Sequence, residues 1–360
     1  MDELKNWFDE TFYRELAGHL HGQYPKFDRQ SFVDAALDGL QELELKARLR
    51  RTTELVARQL PSDFTGALDI LKPIAPHYDM MFKGMFLPDF VGLYGRKDLD
   101  KSLEALKYFT KYGSSEFAIR EFFIIDFERT LDAMIGWAGD ENHHVRRLAS
   151  EGSRPRLPWS FQLKPLMANP SPAKPILELL KADPELYVRK SVANHLNDIS
   201  KDNPETMLDW VNGWDGETPE TAWIIKHASR SLLKQGHPRA FALFGFEAKP
   251  DLSLTELNLS TASLALGDKL NLSFAITSNK RSPQKLAIDY IVHYVKKNGK
   301  TAPKVFKLKE LVIHPGSCQT ISKSQAFENL STRTHYPGEH RIEVMINGIS
   351  MASSTFELKV

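Results

Sequence analysis

Two stretches decide the fold: Val145-Arg146-Arg147-Leu148-Ala149-Ser150-Glu151-Gly152 and Val188-Arg189-Lys190-Ser191-Val192-Ala193. In each, a β-branched residue precedes two bases, and small or apolar residues follow at helical spacing. Related pairs stand at Ile119-Arg120 and Ile225-Lys226. The four lead positions are 26, 43 and 37 residues apart (145 − 119, 188 − 145 and 225 − 188). The last two spacings fit the ~40-residue period of HEAT or armadillo helix pairs, and the first does not. In such a stack equivalent positions share a face, so the recurring bases are expected to line one concave surface. Any one of them alone reads as an ordinary solvated helix residue. Four in the same local context favour the shared surface.

Outward from these stretches, the helical pattern runs to about residue 248. Phe32, Ala36 and Leu40 share a helix face, and Pro175 suits a first helical position. After Pro250 the period becomes two. Leu270, Leu272, Phe274 and Ile276 alternate with other residues, as do Leu286, Ile288, Tyr290, Val292 and Tyr294, and then Ile342, Val344 and Ile346. Asn298-Gly299 and Asn347-Gly348 read as type I′ hairpin turns. The expected architecture is therefore mainly α: a HEAT-like α-solenoid over residues 1–248, then a small all-β immunoglobulin-like sandwich over residues 252–360. Lys296, Lys297 and Lys300 form a basic hairpin tip, equally suited to touching DNA or to guarding a sheet edge.

Composition bounds the chemistry. The 360 residues suit two folding units, 42% hydrophobic and 26% charged residues are ordinary for a globular protein, and no apolar run approaches the ~20 residues of a membrane span. Cys318 is the sole cysteine, so neither an intrachain disulfide nor a cysteine zinc cluster can form, and no His-Glu-x-x-His spacing occurs. No metal or cofactor is expected. The opening residues Met1 to Phe8 lack the basic and apolar segments of a secretory signal, and a cytoplasmic monomer with no membrane partner is expected. A net charge of +1 means that any nucleic-acid surface must arise from segregated charge.

The densest chemistry lies between Glu141 and Trp159. A helix ending at Gly152 puts Glu151 in its last turn, where the macrodipole disfavours a carboxylate by roughly 0.3–1 kcal/mol. Arg154 and Arg156, either side of Pro155, sit in a stiff loop that brings two guanidinium groups near that acid.

Ser115-Glu116-Phe117-Ala118-Ile119-Arg120, Val145 to Trp159, and Tyr187-Val188-Arg189-Lys190-Ser191-Val192-Ala193-Asn194-His195-Leu196-Asn197-Asp198 resemble signature segments of the AlkC branch of HEAT-repeat DNA alkylation-repair proteins. The likeness continues through Lys226-His227-Ala228 and Leu232 to Pro238, and the β region resembles the immunoglobulin-like domain of some AlkC members. What the resemblance implies is an alkyl-DNA glycosylase that hydrolyses the N-glycosidic bond of cationic alkylated bases, notably 3-methyladenine, in double-stranded DNA, without full base extrusion. On that footing Glu116 and Glu151 are the candidate carboxylates, Trp159 their aromatic neighbour, and Asp198 and Asp126 reserves. Arg120, Arg146, Arg147, Arg154, Arg156, Arg189, Lys190, Lys226 and Arg230 are the candidate phosphate contacts, with Asn194 and His195 as neutral donors. The plainer readings beside these are capping after Ser114-Ser115 for Glu116, an ion pair with Arg154 or Arg156 for Glu151, which is compatible with function, and core packing for Trp159. The rival readings are a non-catalytic HEAT-repeat DNA-binding protein and a protein-interaction scaffold.

Overall fold

A computed structural model describes residues 3–360 except 79–81, 215, 217 and 331–332. The chain forms two compact units, Met1–Ala228 and Ser229–Val360. The first is helical, with α1 (Glu10–Gln23), α2 (Arg29–Leu37), α3 (Leu45–Gln59), α4 (Phe64–Ile74), α5 (Phe86–Tyr94), α6 (Leu99–Phe109), α7 (Ile119–Ile125), α8 (Phe127–Trp137), α9 (His143–Gly152), α10 (Lys164–Ala168), α11 (Lys174–Leu180), α12 (Leu186–Asp202), α13 (Pro204–Asn212) and α14 (Pro219–Ala228). Most of the longer helices start where the sequence offers a side-chain acceptor: Asp9, Asp28, Asp63, Asp98, Asp126 and Asn142 each take a hydrogen bond from an N–H of the first turn. Such caps are worth about 1 kcal/mol each. Successive helices pack on one another, α7 on α8, α8 on α9, α9 on α12 and α12 on α14, around a core that includes Phe109, Phe122, Leu148, Val188 and Leu196. No helix among the described residues is long and apolar enough to cross a membrane.

The repeat seen in the sequence has a concrete structural meaning. Arg146 Nη1 donates to the carbonyls of Asp140 (3.0 Å) and Glu141 (2.8 Å), and Arg189 Nη1 donates to those of Asp183 (2.9 Å) and Pro184 (2.6 Å). The same staple thus recurs 43 residues apart, each time tying a helix to the loop that leads into it. Arg146 also pairs with the Asp183 carboxylate at 2.6 Å, and Lys107 with Asp140 at 2.7 Å, so the aspartate of each stapled loop is held by a base on an earlier helix.

The second unit holds α15 (Arg230–Lys234) and α16 (Pro238–Leu243), then β1 (Leu252–Leu254), β2 (Asn258–Leu259), β3 (Ser263–Ala265), β4 (Lys269–Ser278), β5 (Gln284–Val295), β6 (Thr301–Ile313), β7 (Cys318–Ala326), β8 (Gly338–Ile346) and β9 (Ile349–Lys359). β4 pairs with β1 and β2 on one side and β7 on the other; the second sheet runs β3-β9-β8-β5-β6, antiparallel except for β3 with β9. The alternating residues anticipated from the sequence meet between the sheets, with Leu270, Phe274, Ile288, Val292, Ile342 and Val344 all buried. The sequence assigns everything before residue 248 to the helical domain, but the short helices α15 and α16 pack with the strands. Asn347 Nδ2 donates to Glu247 O at 2.9 Å and Lys285 Nζ to Phe244 O at 2.9 Å, which ties the segment after α16 to the sheet.

The two hairpins differ. Asn347 and Gly348 have φ of 47° and 79°, as a type I′ turn requires. At Asn298-Gly299 only the glycine has positive φ, 76°, while Gly299 N donates to Lys296 O and Lys296 N to Lys300 O, both at 2.8 Å. That is a three-residue loop closed by a glycine bulge rather than the expected type I′ turn. Gly348 also has no room for a side chain: a Cβ there would stand 2.5 Å from Gly236 Cα and 2.8 Å from the Phe241 ring. Gly348→Ala is expected to destabilise the sandwich by roughly 2–4 kcal/mol, combining left-handed strain with overpacking, as read from a denaturant midpoint.

Candidate active site

Three acids and three bases alternate from the turn before α7 across α9 and the loop after it to α12. Arg147 Nη1 binds Glu116 Oε2, and Arg147 Nη2 lies 3.4 Å from Glu151 Oε1. Arg154 Nη1 reaches the same Glu151 oxygen at 2.7 Å, and Arg154 Nη2 reaches Asp198 Oδ2 at 2.8 Å. Lys201 closes the line on Asp198 Oδ1 at 2.8 Å. Helical spacing brings these groups together. Arg147, Glu151 and Arg154 follow one another by four and three residues. On α12, Tyr187, Ser191, His195, Asp198 and Asp202 repeat by four, four, three and four, so they form one stripe. That stripe faces α9: Tyr187 lies under the Arg147 guanidinium, 4.9 Å from ring centre to Cζ, Ser191 is beside Glu151, Asp198 holds Arg154, and Asp202 holds Arg156 through two bonds of 2.7 and 2.6 Å.

Both candidate acids therefore converge on one guanidinium. Burial raises the Glu151 carboxyl, but Arg147 and Arg154 more than offset this and hold it below the usual carboxylate range. The unfavourable helix-end position anticipated for this acid is real, since α9 ends at Gly152, and the flanking arginines compensate for it. Glu116 precedes α7 and accepts a bond from Ser114 Oγ at 3.0 Å. Its side chain is 16% exposed against 8% for Glu151, so Glu116 is the acid nearer solvent.

Several expected DNA contacts are committed to the interior. Arg120 is 0% exposed, and its guanidinium donates to the carbonyls of Gly152 (3.0 Å), Arg154 (2.8 Å) and Phe161 (3.1 Å), which closes the loop after α9. Burial, and then Arg154, lower it to about 10, still charged at neutral pH. It is a loop clamp, not a phosphate contact. Arg146 and Arg189 are spent on the repeat staples, Arg154 on its two buried acids and Arg156 on Asp202. His195 is fully buried and cannot reach a ligand. Asp126 caps α8 by accepting from Arg129 N at 3.1 Å, which removes it as a reserve carboxylate. Asn194 is half-buried, Lys190 and Lys226 are exposed, and Arg230 is half-buried in the other unit.

Trp159 also departs from its expected place. It is 63% exposed with φ +65°, at the mouth of a cavity of about 250 Å³ that Phe117, Phe161 and Lys46 help line, and it is not a member of the ion-pair line. The aromatic residue that does touch that line is Tyr187, 37% exposed, with His144 edge-on at 5.9 Å. Its signal was legible as the first member of the α12 stripe, which the apolar repeat beside it masks.

A carboxylate held ionised by two guanidinium groups, close to a partly exposed aromatic ring, suits an enzyme that stabilises developing positive charge. Residues 110–232 match the family described as "DNA alkylation repair enzyme", and residues 253–360 the one described as "Uncharacterised protein YhaZ, C-terminal Ig-like domain". The protein YhaZ of Bacillus subtilis (strain 168) is 42% identical over 359 residues, 99% of this chain and 100% of the relative. The Pseudomonas fluorescens alkylpurine DNA glycosylase AlkC, solved bound to DNA containing an abasic site analog, is 47% identical with a TM-score of 0.95, covering 100% of both chains. The chain belongs to the DNA alkylation repair enzyme family. Within it, this is an alkyl-DNA glycosylase with a C-terminal immunoglobulin-like domain.

The buried histidine sets an acid limit on stability. Burial, and then Arg154, push His195 down from 6.5 to about 3, so the folded chain keeps it neutral while the unfolded chain protonates it from 6.5 downward. The unfolded state thus binds the extra proton, and stability falls as pH drops through that window. Urea unfolding across pH 6.5 to 4.5 should show a steeper loss for the parent chain than for His195→Leu; equal slopes would contradict the assignment.

Proposed function

We propose that this chain hydrolyses the N-glycosidic bond of cationic alkylated bases in duplex DNA, with 3-methyladenine the foremost substrate. A base alkylated at a ring nitrogen already carries positive charge, so it departs as a neutral group with the electron pair of the broken bond and needs no general acid. What remains is to stabilise an oxocarbenium-like sugar and to place a water. The observation that carries the reading is the pair of acids on Arg147, one of them held ionised in the interior. Ser114 and Arg147 both engage Oε2 of Glu116, so Oε1 is the oxygen offered to a water, whose proton the carboxylate takes as the water oxygen bonds to the sugar carbon. Glu151 keeps Arg147 in place and adds fixed negative charge beside the sugar. Tyr187 is the aromatic face for the cationic base, in a contact worth roughly 0.5–2 kcal/mol. Exposed Lys190 and Lys226 meet phosphates, which position the duplex without reading its sequence.

Incubation with methylated duplex DNA, followed by chromatography of released bases, tests the proposal. Free 3-methyladenine should appear, and Glu116→Gln or Glu151→Gln should lower its rate of release by about 10²–10⁴-fold. Unchanged release in both variants removes the site while the activity stands. DNA binding without any release would identify a non-catalytic DNA-binding protein instead, and no DNA binding at low salt a scaffold.

A further inference from the structure

The approach to α7 reads Gly113-Ser114-Ser115-Glu116, and its two serines do different work. Gly113 is pressed onto the turn before α5: a Cβ there would stand 2.5 Å from the Gly84 carbonyl carbon. Ser115 is 0% exposed and donates to Leu106 O in α6 at 2.8 Å. These two residues fix the backbone. Ser114 is half-buried between them, with its hydroxyl against Arg147 of α9.

A hydroxyl has one proton to give and two lone pairs to fill. Arg147 Nη1 donates to Ser114 Oγ at 2.8 Å and Glu116 N donates to it at 3.4 Å, so both lone pairs are engaged. Neither of these donors can accept, so the proton goes to Glu116 Oε2, 3.0 Å away. The hydroxyl therefore has a single orientation. Arg147 Nη1 also binds Oε2, so that oxygen takes two donors, while no hydrogen bond reaches Oε1 among the described residues.

An arginine and a carboxylate commonly pair as a fork, two parallel N–H···O bonds that occupy both oxygens. A second donor for such a fork is at hand here, since Arg147 Nη2 is held only at 3.4 Å, by Glu151 Oε1. A forked Glu116 would offer the water an oxygen already engaged by a cation, which is a poorer proton acceptor. We infer that Ser114 is a positioning residue for base release: its hydroxyl holds Glu116 on Arg147 through Oε2 alone and keeps Oε1 open to the attacking water. The inference rests on the glycosylase reading for its reaction. It deepens that reading by assigning the orientation of the acid to a side chain that takes no part in the proton transfer.

Single-turnover release of 3-methyladenine from methylated duplex DNA, with the full chain in excess, separates rate from affinity. Ser114→Ala should slow release by about 10–100-fold, part of the roughly 10²–10⁴ that a general base supplies, while affinity for a duplex with a tetrahydrofuran abasic analogue stays within about twofold. Ser114→Thr, which keeps the hydroxyl, should recover most of the rate. Circular dichroism confirms folding, and a crystal structure of Ser114→Ala should show both Glu116 oxygens on Arg147. A parental rate in Ser114→Ala, a loss of affinity as large as the loss of rate, no recovery in Ser114→Thr, or an unmoved Glu116 overturns the inference. If the parent releases no base but Glu116 forks in Ser114→Ala, the positioning role stands and the glycosylase reading falls.

Discussion

The arrangement depends on one guanidinium, that of Arg147, lying between Glu116 and Glu151. A lone buried carboxylate would cost several kcal/mol in desolvation and would protonate instead. Here every buried acid of the line has a base on at least one side, and Glu151 has one on each. The outcome is negative charge that is fixed and already desolvated. Such charge stabilises a developing cation more strongly than a solvated carboxylate does, because it need not reorganise during the reaction.

The same line joins the helices mechanically. Arg147 ties the residue before α7 to α9, and Arg154 ties the loop after α9 to α12. Removing one partner of a buried pair typically costs 3–5 kcal/mol, since the other charge is left uncompensated. The groups that shape the candidate site are therefore also groups that hold the repeats in register, and chemistry and architecture cannot be varied independently here.

Fold class was legible because it rests on periodicity. The change of period after Pro250, the buried alternation of β4, β5 and β8, and the 43-residue return of the Val-Arg motif all reappear as structure. The helix-end position of Glu151 was legible too, since a carboxylate in a last turn is unusual. The roles of the arginines were not. A base in a sequence offers five donors and no direction, and Arg48, Arg120, Arg146 and Arg189 all turn those donors on backbone carbonyls of neighbouring loops. Which bases remain for DNA depends on tertiary geometry, as does the separation of Trp159 from the carboxylates. Tyr187 and the α12 stripe lay in the spacing of polar residues, a weaker signal than the apolar repeat that overlies it.

The most direct test of this account is a titration of the Glu151 side-chain carboxyl by carbon-13 NMR, assigned by difference against Glu151→Gln. The bracketing arginines require it to stay ionised as pH falls through 4.5, the ordinary value for a glutamate, and to gain its proton only below that point in the folded chain. A carboxyl that is already half protonated above 4.5 would mean that burial outweighs Arg147 and Arg154, and would contradict the account.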